Sequence, residues 1–281
     1  MRRNLALLVA ALAIAGSLVA CGGSSDDKPT TAKAAGNCIS VPNTDGSFQR
    51  VKDAGAFKVG AVDGLLPYSS SESSNKGFEI EMADYVAAQM CVKAKPVFVS
   101  WAGLIPALNA KRFDAIFDGL FITPEREKQV QFSRPYYASG ETIVVRKGNP
   151  EGIATLTDLA DKKVGVLSGS VTVDAVKKVG AKDIKAYDDQ NQILLEIGNG
   201  RIDAGYLEAP SSAWVLKKQP SLEAELVKSY VPDERFNAGV AVRSSDADLR
   251  KAVDLALGRL ISSKKRDQIF AKYGVPYFPT T

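Results

Sequence analysis

The sequence of 281 residues contains no histidine, and this absence excludes several kinds of functional site at once. Histidine is the base of Ser-His-Asp triads and Cys-His pairs, and it is a common ligand of catalytic zinc. The hydrophobic share of 45% and the charged share of 24% are ordinary for a globular protein. The sequence therefore predicts a folded domain without histidine-dependent chemistry, and we expect neither a cofactor nor a metal site.

Long apolar runs are also scarce. Met1-Arg2-Arg3 and the apolar segment 5–15 have the form of a signal peptide, because this run is too short for a membrane span. Residues 1–20 are the predicted signal peptide, and their removal takes away Arg2 and Arg3. The formal net charge then falls from +4 to +2. So small an excess gives no reason to expect a nucleic-acid partner.

Cysteine occurs three times, at positions 21, 38 and 91. The segment Leu18-Val19-Ala20-Cys21 resembles a bacterial lipobox, which implies cleavage before Cys21 and lipidation of its thiol. Ordinary secretion with an unmodified Cys21 is the alternative. Cys38 and Cys91 then remain as a pair in an oxidising compartment, so we expect a disulfide, with two free buried thiols as the alternative. Residues 21–50, which begin with a Ser-, Asp-, Thr- and Ala-rich segment, are predicted to be a flexible tether to the membrane.

The most informative stretch runs from Trp101 to Tyr136 and predicts a helix, a strand, a tight polar turn and a second helix. Thr123 and Pro124 start the second helix, with a hydroxyl at the N-cap and a proline at the first helical position. Arg126 then occupies the third position, where free backbone N–H groups and a guanidinium converge. This arrangement suits a carboxylate or another small anion.

Four segments of this stretch resemble the periplasmic solute-binding proteins that bind amino acids for ABC transporters. They are Ile105–Leu108, Phe113–Ile116, Ile122–Arg126 and Phe132–Tyr136. The resemblance implies an α/β, two-lobed periplasmic-binding-protein fold of type II. In that fold each lobe is a mixed sheet flanked by helices, and two hinge crossovers join the lobes.

We expect lobe 1 to comprise residues 51–143 and 238–281, and lobe 2 residues 144–237. The crossovers are expected at 141–146 and 236–242, and a long amphipathic helical region at 248–273. Arg112–Ala115 and Arg201–Ala204 form a faint internal repeat, which favours two similarly built lobes.

The resemblance also implies the binding residues. Arg126 falls where the family grips the ligand's α-carboxylate, and Glu208 where it has an acid for the α-ammonium. The alternatives are an Arg126 that is solvated and paired with Glu125 or Asp118, and a Glu208 that is simply a surface residue. The other expected ligand-binding residues are Asp63, Leu65, Tyr68, Trp101, Gly119, Leu120, Phe121, Ser168, Gly169, Ser170 and Val171.

Phe121 departs from the family pattern, since many members carry Ser or Thr at this position. Together with Trp101 and Tyr68 it could form an aromatic wall around a cation or a flat ring. Members with Phe here resemble ectoine-type binders, so a cyclic or N-substituted amino-acid derivative is one expected ligand. The alternative is that Phe121 packs beneath the cleft and the ligand is a standard apolar or cationic amino acid.

The predicted function is an extracytoplasmic, lipid-anchored receptor of an ABC importer. It would act as a monomer, close its lobes on a small zwitterionic solute and present it to permease subunits, without enzymatic activity. The alternative is a periplasmic cyclohexadienyl dehydratase acting on prephenate-like acids, for which Glu208 or Asp63 would serve as proton donor. A sensor domain is a third interpretation, which the sequence disfavours because no spanning segment or signalling domain is recognisable after the binding region.

Overall fold

The computed structural model describes residues 38–72, 76–232, 235–275 and 280. The predicted signal peptide, Cys21 and the first part of the predicted tether lie outside the described residues. The α-helices of the described part are α1 Ser47–Asp53, α2 Phe78–Gln89, α3 Leu104–Asn109, α4 Pro124–Glu127, α5 Thr172–Lys178, α6 Gln190–Gly198, α7 Ala209–Lys218, α8 Ala247–Ser262 and α9 Lys265–Tyr273. Short 3₁₀ helices cover Trp101–Gly103 and Leu156–Leu159.

The strands lie in two five-stranded sheets and one two-stranded ribbon. They are β1 Ala56–Ala61, β2 Lys93–Phe98, β3 Ala115–Ile116, β4 Val130–Phe132, β5 Tyr137–Ser139, β6 Glu141–Arg146, β7 Lys163–Leu167, β8 Asp183–Tyr187, β9 Ala204–Glu208, β10 Ala224–Leu226, β11 Phe236–Ala238 and β12 Ala241–Arg243.

The two sheets repeat one topology. Lobe 1 has the order β2-β1-β3-β12-β4, and lobe 2, taken from its other edge, has β8-β7-β9-β6-β10. In each sheet the first three strands are parallel, the fourth runs antiparallel to them, and the fifth runs antiparallel to the fourth. Because β12 follows lobe 2 in the chain but pairs in lobe 1, lobe 1 is discontinuous. The antiparallel pair β5–β11 joins the lobes, and the predicted two-lobed α/β fold with two crossovers is confirmed.

The internal repeat marks the same contact in both lobes. In lobe 1 the Asp114 N–H donates to the Lys58 carbonyl at 2.8 Å, and the Lys58 N–H donates to the Asp114 carboxylate at 3.0 Å. In lobe 2 Asp203 and Lys163 exchange the equivalent bonds at 2.9 and 2.8 Å. An aspartate just before β3 therefore fixes the register of β3 against β1, and an aspartate just before β9 does the same for β9 against β7.

A glycine two residues after each of these lysines completes the repeat. A Cβ on Gly60 would lie 2.4 Å from the Phe113 ring, and one on Gly165 would lie 2.7 Å from Ile202 Cδ1. Phe113 and Ile202 are both 1% exposed. Each glycine thus lets the apolar residue before the aspartate pack directly on the sheet. Because both lobes share this packing and the aspartate hydrogen bonds, the short sequence repeat corresponds to a repeated structure.

The N-terminal part of the described chain packs on lobe 1, so the predicted tether of residues 21–50 extends too far and the predicted lobe start at 51 is too late. Ile39 and Phe48 are buried in the lobe 1 core. The Asp248 carboxylate at the start of α8 accepts hydrogen bonds from the Thr44 hydroxyl at 2.7 Å and the Asp45 N–H at 2.8 Å. The predicted disulfide between Cys38 and Cys91 is confirmed.

Two other element predictions need correction. The predicted helical region 248–273 is two helices, α8 and α9, which are separated at Ser263 and Lys264, and Lys264 has a left-handed φ of 57°. The predicted crossover at 141–146 is strand β6, which pairs with β9 from its first residue and belongs to lobe 2. The hinge strand on that side is β5 instead.

None of the helices in the described ranges has both the length and the apolar composition that a membrane span requires.

We predict that replacing both bridge cysteines, Cys38→Ser with Cys91→Ser, lowers the free energy of unfolding by about 4 kcal/mol. The bridge spans 53 residues of sequence, and opening that loop restores conformational entropy to the unfolded chain. Urea unfolding of the full-length chain measures the change, and reduced wild-type protein is the matched control. An unchanged urea midpoint in the double variant contradicts the prediction.

Candidate functional site

A cavity of about 480 Å³, counting the open space at its mouth, lies between the lobes. Most of its walls come from the carboxyl ends of parallel strands and the segments that follow them. In lobe 1 these segments follow β1, β2 and β3, and in lobe 2 the walls come from the ends of β7 and β9, the segments after β7 and β8, and the first residue of β6. Ligands of α/β proteins bind at this edge of a sheet, so the fold places the cavity where a binding site is expected.

Most of the predicted site residues meet in this cavity. Those that line it are Leu65, Tyr68, Trp101, Gly119, Phe121, Arg126, Ser170, Val171 and Glu208. Leu120 and Gly169 line a wider groove that continues outward along the same cleft. Ser168 lines neither, and its N–H pairs with the Tyr187 carbonyl at 2.8 Å. The prediction that Asp63 lines the site is corrected, because this residue is exposed and lies outside both linings. Its carboxylate accepts hydrogen bonds from the N–H and the hydroxyl of Ser71, both at 2.7 Å.

Arg126 is held in the cavity wall. The Thr123 hydroxyl accepts the Arg126 N–H at 3.3 Å and caps α4, as the sequence predicts. The guanidinium donates to the Phe121 carbonyl at 2.9 Å and to the Gly169 carbonyl at 3.4 Å, and its central carbon lies 5.9 Å from the Trp101 ring centroid. The side chain is buried, so the solvated alternative is wrong. Burial lowers the pKa of Arg126 to about 10, and the group stays cationic at neutral pH.

Glu208 lies opposite, at the end of β9, where it also caps α7. One carboxylate oxygen accepts hydrogen bonds from the Tyr68 hydroxyl and from the Ser139 hydroxyl at 2.7 Å. The other accepts the Ser211 N–H at 3.0 Å. The side chain is open towards the cavity while protein surrounds its carboxylate, so it is not simply a surface residue. Burial raises the pKa of Glu208 to about 7.

Glu141 lines the same cavity and was missed by the sequence analysis. It is 4% exposed and is the direct cross-strand partner of Glu208. Its Oε2 is, within the described chain, the one buried side-chain nitrogen or oxygen atom without a hydrogen-bond partner. Burial and the nearby charge of Glu208 raise the pKa of Glu141 to about 8, and Arg126 opposes this shift. In the sequence Glu141 is only the polar first residue of an apolar strand, so only the strand register identifies it.

Other cavity residues, which are not among the ligand-binding residues expected above, are Asp118, Leu167, Thr172, Gln190, Tyr206 and Leu207. Asp118 and Gln190 are held by hydrogen bonds within the protein. The Asp118 carboxylate accepts the Ser69 hydroxyl at 2.6 Å and the Val62 N–H at 2.8 Å, and the Gln190 amide donates to the Ser211 hydroxyl at 2.8 Å. Asp118 is 1% exposed, and desolvation raises its pKa well above the usual range. These contacts stiffen the cavity wall.

The aromatic side chains combine both predicted roles. Phe121 is 4% exposed and stacks on Phe236 of the hinge strand β11, with ring centroids 5.1 Å apart, yet it also lines the cavity. Trp101 faces Arg126, and Tyr68 packs against Phe78 with centroids 4.6 Å apart. The three rings therefore form an apolar wall on the lobe 1 side, and Phe121 couples that wall to the hinge.

Hydrogen bonds between described residues join the lobes across the cleft. They run from Arg126 to the Gly169 carbonyl, from Tyr68 to Glu208, and from the Asn191 amide to the Gly64 carbonyl at 3.4 Å. Gly169 has a φ of 75°, and a Cβ there would lie 3.2 Å from Ala102 Cα of lobe 1. The lobes thus meet closely at this turn, and the cavity is enclosed between them.

Comparison with known proteins agrees with the two-lobed fold described above. Residues 57–276 match the family described as bacterial extracellular solute-binding proteins, family 3. The chain is 32% identical over 219 residues to the L-cystine-binding protein TcyJ of Escherichia coli strain K12, covering 77% of this chain and 81% of that protein.

Two solved structures are also similar. A mutant of ArgBP from T. maritima aligns with a TM-score of 0.76 and 30% identity, covering 81% of this chain and 99% of that one. The ancestral amino acid-binding protein AncCDT-1, a precursor of cyclohexadienyl dehydratase, aligns with a TM-score of 0.73 and 30% identity, covering 81% and 98%. From the match over residues 57–276 and the shared two-lobed architecture, the chain belongs to family 3 of the bacterial extracellular solute-binding proteins.

Proposed function

We propose that this protein is the extracytoplasmic receptor of an ABC importer and binds an amino acid or amino-acid-like zwitterion between its lobes. The observation that carries the proposal is that one inter-lobe cavity is lined by a buried Arg126 from lobe 1 and by Glu208 from lobe 2. A fixed cation and a fixed anion at opposite walls match the two charges of a zwitterion. Relatives that bind L-cystine and arginine support this ligand class.

The ligand carboxylate binds Arg126 in this proposal. A guanidinium has five N–H donors in a planar fork, and the protein engages this one through the carbonyls of Phe121 and Gly169. A carboxylate is a stronger partner than a neutral carbonyl and can take two donors at once. Because the Gly169 bond comes from the opposite lobe, exchange of that carbonyl for a ligand oxygen occurs at the lobe interface.

The ligand ammonium binds Glu208. Tyr68 of lobe 1 and Ser139 of the hinge strand β5 both donate to this carboxylate, which itself belongs to lobe 2. Glu208 therefore contacts both lobes and the hinge at a single point. A ligand that changes the charge of Glu208 or its hydrogen bonds favours one arrangement of the lobes over another, which is the basis of hinge closure.

The membrane anchor and the partners complete the proposal. We place a lipid on Cys21, with the following residues as a tether, and ABC permease subunits as partners of the ligand-loaded monomer. The supports are the Leu18–Cys21 segment and the family's role in solute uptake.

The alternative is a cyclohexadienyl dehydratase on the same fold. Its support is the raised pKa of Glu208, which leaves this acid partly protonated near neutral pH and able to donate a proton. The similarity to AncCDT-1 bears on both proposals, since that protein is itself an amino acid-binding protein. Binding without chemistry accounts for the same residues and needs no further group, so it is the preferred proposal.

A thermal-shift panel tests the ligand class. We expect stabilisation by a standard amino acid, and a ligand at 100 times its dissociation constant adds about 2.7 kcal/mol to the free energy of unfolding. Opines, betaines, ectoines and prephenate complete the panel. A response confined to cyclic or methylated solutes assigns specificity to Trp101 and Phe121, while prephenate turnover contradicts the receptor proposal.

The variant Arg126→Ala is expected to weaken binding of the best amino acid by about 100-fold or more, because a charge-assisted pair with the carboxylate is lost. Isothermal titration calorimetry measures this loss. Arg201→Ala is the matched control, since this side chain is 67% exposed in lobe 2 and pairs with Glu196 outside the cavity. Retained affinity in a folded Arg126→Ala protein would rule out the assignment.

Affinity is expected to fall as the pH drops through 7. Glu208 has a raised pKa of about 7 in the ligand-free cleft, and the ligand ammonium favours its ionised form. Binding must then release a proton at lower pH, which weakens affinity by about 20-fold between pH 7.5 and 5.5 for one such group. Glu141, with its pKa near 8, shifts in the same direction. Titrations of wild type and Glu208→Gln check this, and a flat wild-type profile would show that Glu208 does not bind the ammonium.

A further inference from the structure

Glu141 is a buried acid that the protein leaves incompletely bonded. Its side chain is 4% exposed and lines the cavity, and its Oε2 has no hydrogen-bond partner among the described residues. The other two cavity acids are supplied with protein donors. Asp118 has Ser69 and a backbone N–H, and Glu208 has two hydroxyls and a backbone N–H. The cavity therefore contains one carboxyl oxygen that no group of the described protein satisfies.

The position of Glu141 beside a second acid makes its carboxyl group still harder to compensate. Glu141 and Glu208 are direct partners on the antiparallel strands β6 and β9, so their side chains lie on the same face of the sheet. Like charges in directly opposed positions destabilise a strand pair. Among the described residues that line the cavity, Arg126 is the one cationic side chain. Its charge acts on Glu141, and one cation cannot balance two ionised carboxylates.

We infer that Glu141 is a specificity-determining residue that selects ligands with a second cationic group in addition to the α-ammonium. This inference rests on the proposed function, in which Arg126 takes the carboxylate and Glu208 the ammonium. A neutral zwitterion then compensates those two groups and leaves Glu141 without a partner. A side-chain ammonium or guanidinium donates to the free oxygen and balances the cavity charge.

The apolar part of the cavity fits such a ligand. Trp101 and Phe121 line it from lobe 1, and Leu207 lines it from lobe 2. An alkyl chain between the α-carbon and the distal cation would pack between these surfaces, and the aromatic faces are favourable neighbours for a cation. The ligand class is thus an α-amino acid with a basic side chain.

Matched pairs of amino acids test the inference in the full-length protein. L-Arginine and L-citrulline have nearly the same shape but differ in the charge of the terminal group, as L-lysine and L-norleucine do at similar length. We expect the wild type to prefer the cationic member of each pair by about tenfold or more in calorimetric dissociation constant. Equal or tighter binding of the neutral members overturns the inference, since a protonated Glu141 would then serve as an ordinary hydrogen-bond donor.

The variant Glu141→Gln isolates the charge. We expect the ratio between the members of each pair to fall towards one, while binding of the neutral members is kept or improved. Glu127→Gln is the control, because this acid is exposed on α4 and lies outside the cavity lining. An unchanged ratio in Glu141→Gln overturns the inference, and the wild-type ratio decides the case alone if this variant does not fold.

The same titrations separate this inference from the proposed function. Neutral amino acids that bind through Arg126, without preference for a second cation, exclude the role of Glu141 and leave the receptor proposal intact. A folded wild-type protein that binds no amino acid of either class, as measured by calorimetry and thermal shift, contradicts both.

Discussion

The rest of this structure depends on one constraint: charged side chains are buried away from water in the cavity between the two lobes. Arg126, Glu208 and Glu141 meet in one enclosed cavity, where an ion without a partner is costly. The protein supplies partial compensation through backbone carbonyls for the arginine and through hydroxyls for Glu208. In the proposed function a ligand provides the remaining compensation, so affinity and specificity would arise from the same unsatisfied charges.

Arg126 belongs to lobe 1, whereas Glu141 and Glu208 belong to lobe 2, so these charged groups line one cavity only when the two lobes are in contact. Each lobe is stable through its own sheet and core, and the same Asp–Lys backbone exchange fixes strand register in both. The hydrogen bonds from Tyr68 to Glu208 and from Arg126 to Gly169 cross between the lobes. These interlobe bonds lie around the cavity, where a bound ligand would change their energy. In the proposed function, a hinge of two short strands, β5 and β11, converts this local charge compensation into a movement of whole lobes.

The aromatic wall connects the pocket to that hinge. Phe121 contacts the cavity on one side and stacks on Phe236 of β11 on the other. Its size therefore affects both the shape of the pocket and the packing of the hinge. Because of this double contact, the ring fills space that belongs to the protein core as much as to the cavity.

The sequence by itself determined the local features of this protein. Thr123 and Pro124 predicted the capped helix that carries Arg126, and the repeat around Asp114 and Asp203 predicted two lobes of one design, because caps and strand starts depend on neighbouring residues. The sequence misplaced the end of the tether and overlooked the break at Lys264, where tertiary packing decides. Asp63 was assigned to the site although its carboxylate turns to Ser71. Only the tertiary structure could identify Glu141, because the role proposed for it comes from its register with Glu208, 67 positions away, and from an Oε2 atom that has no hydrogen-bond partner among the described residues.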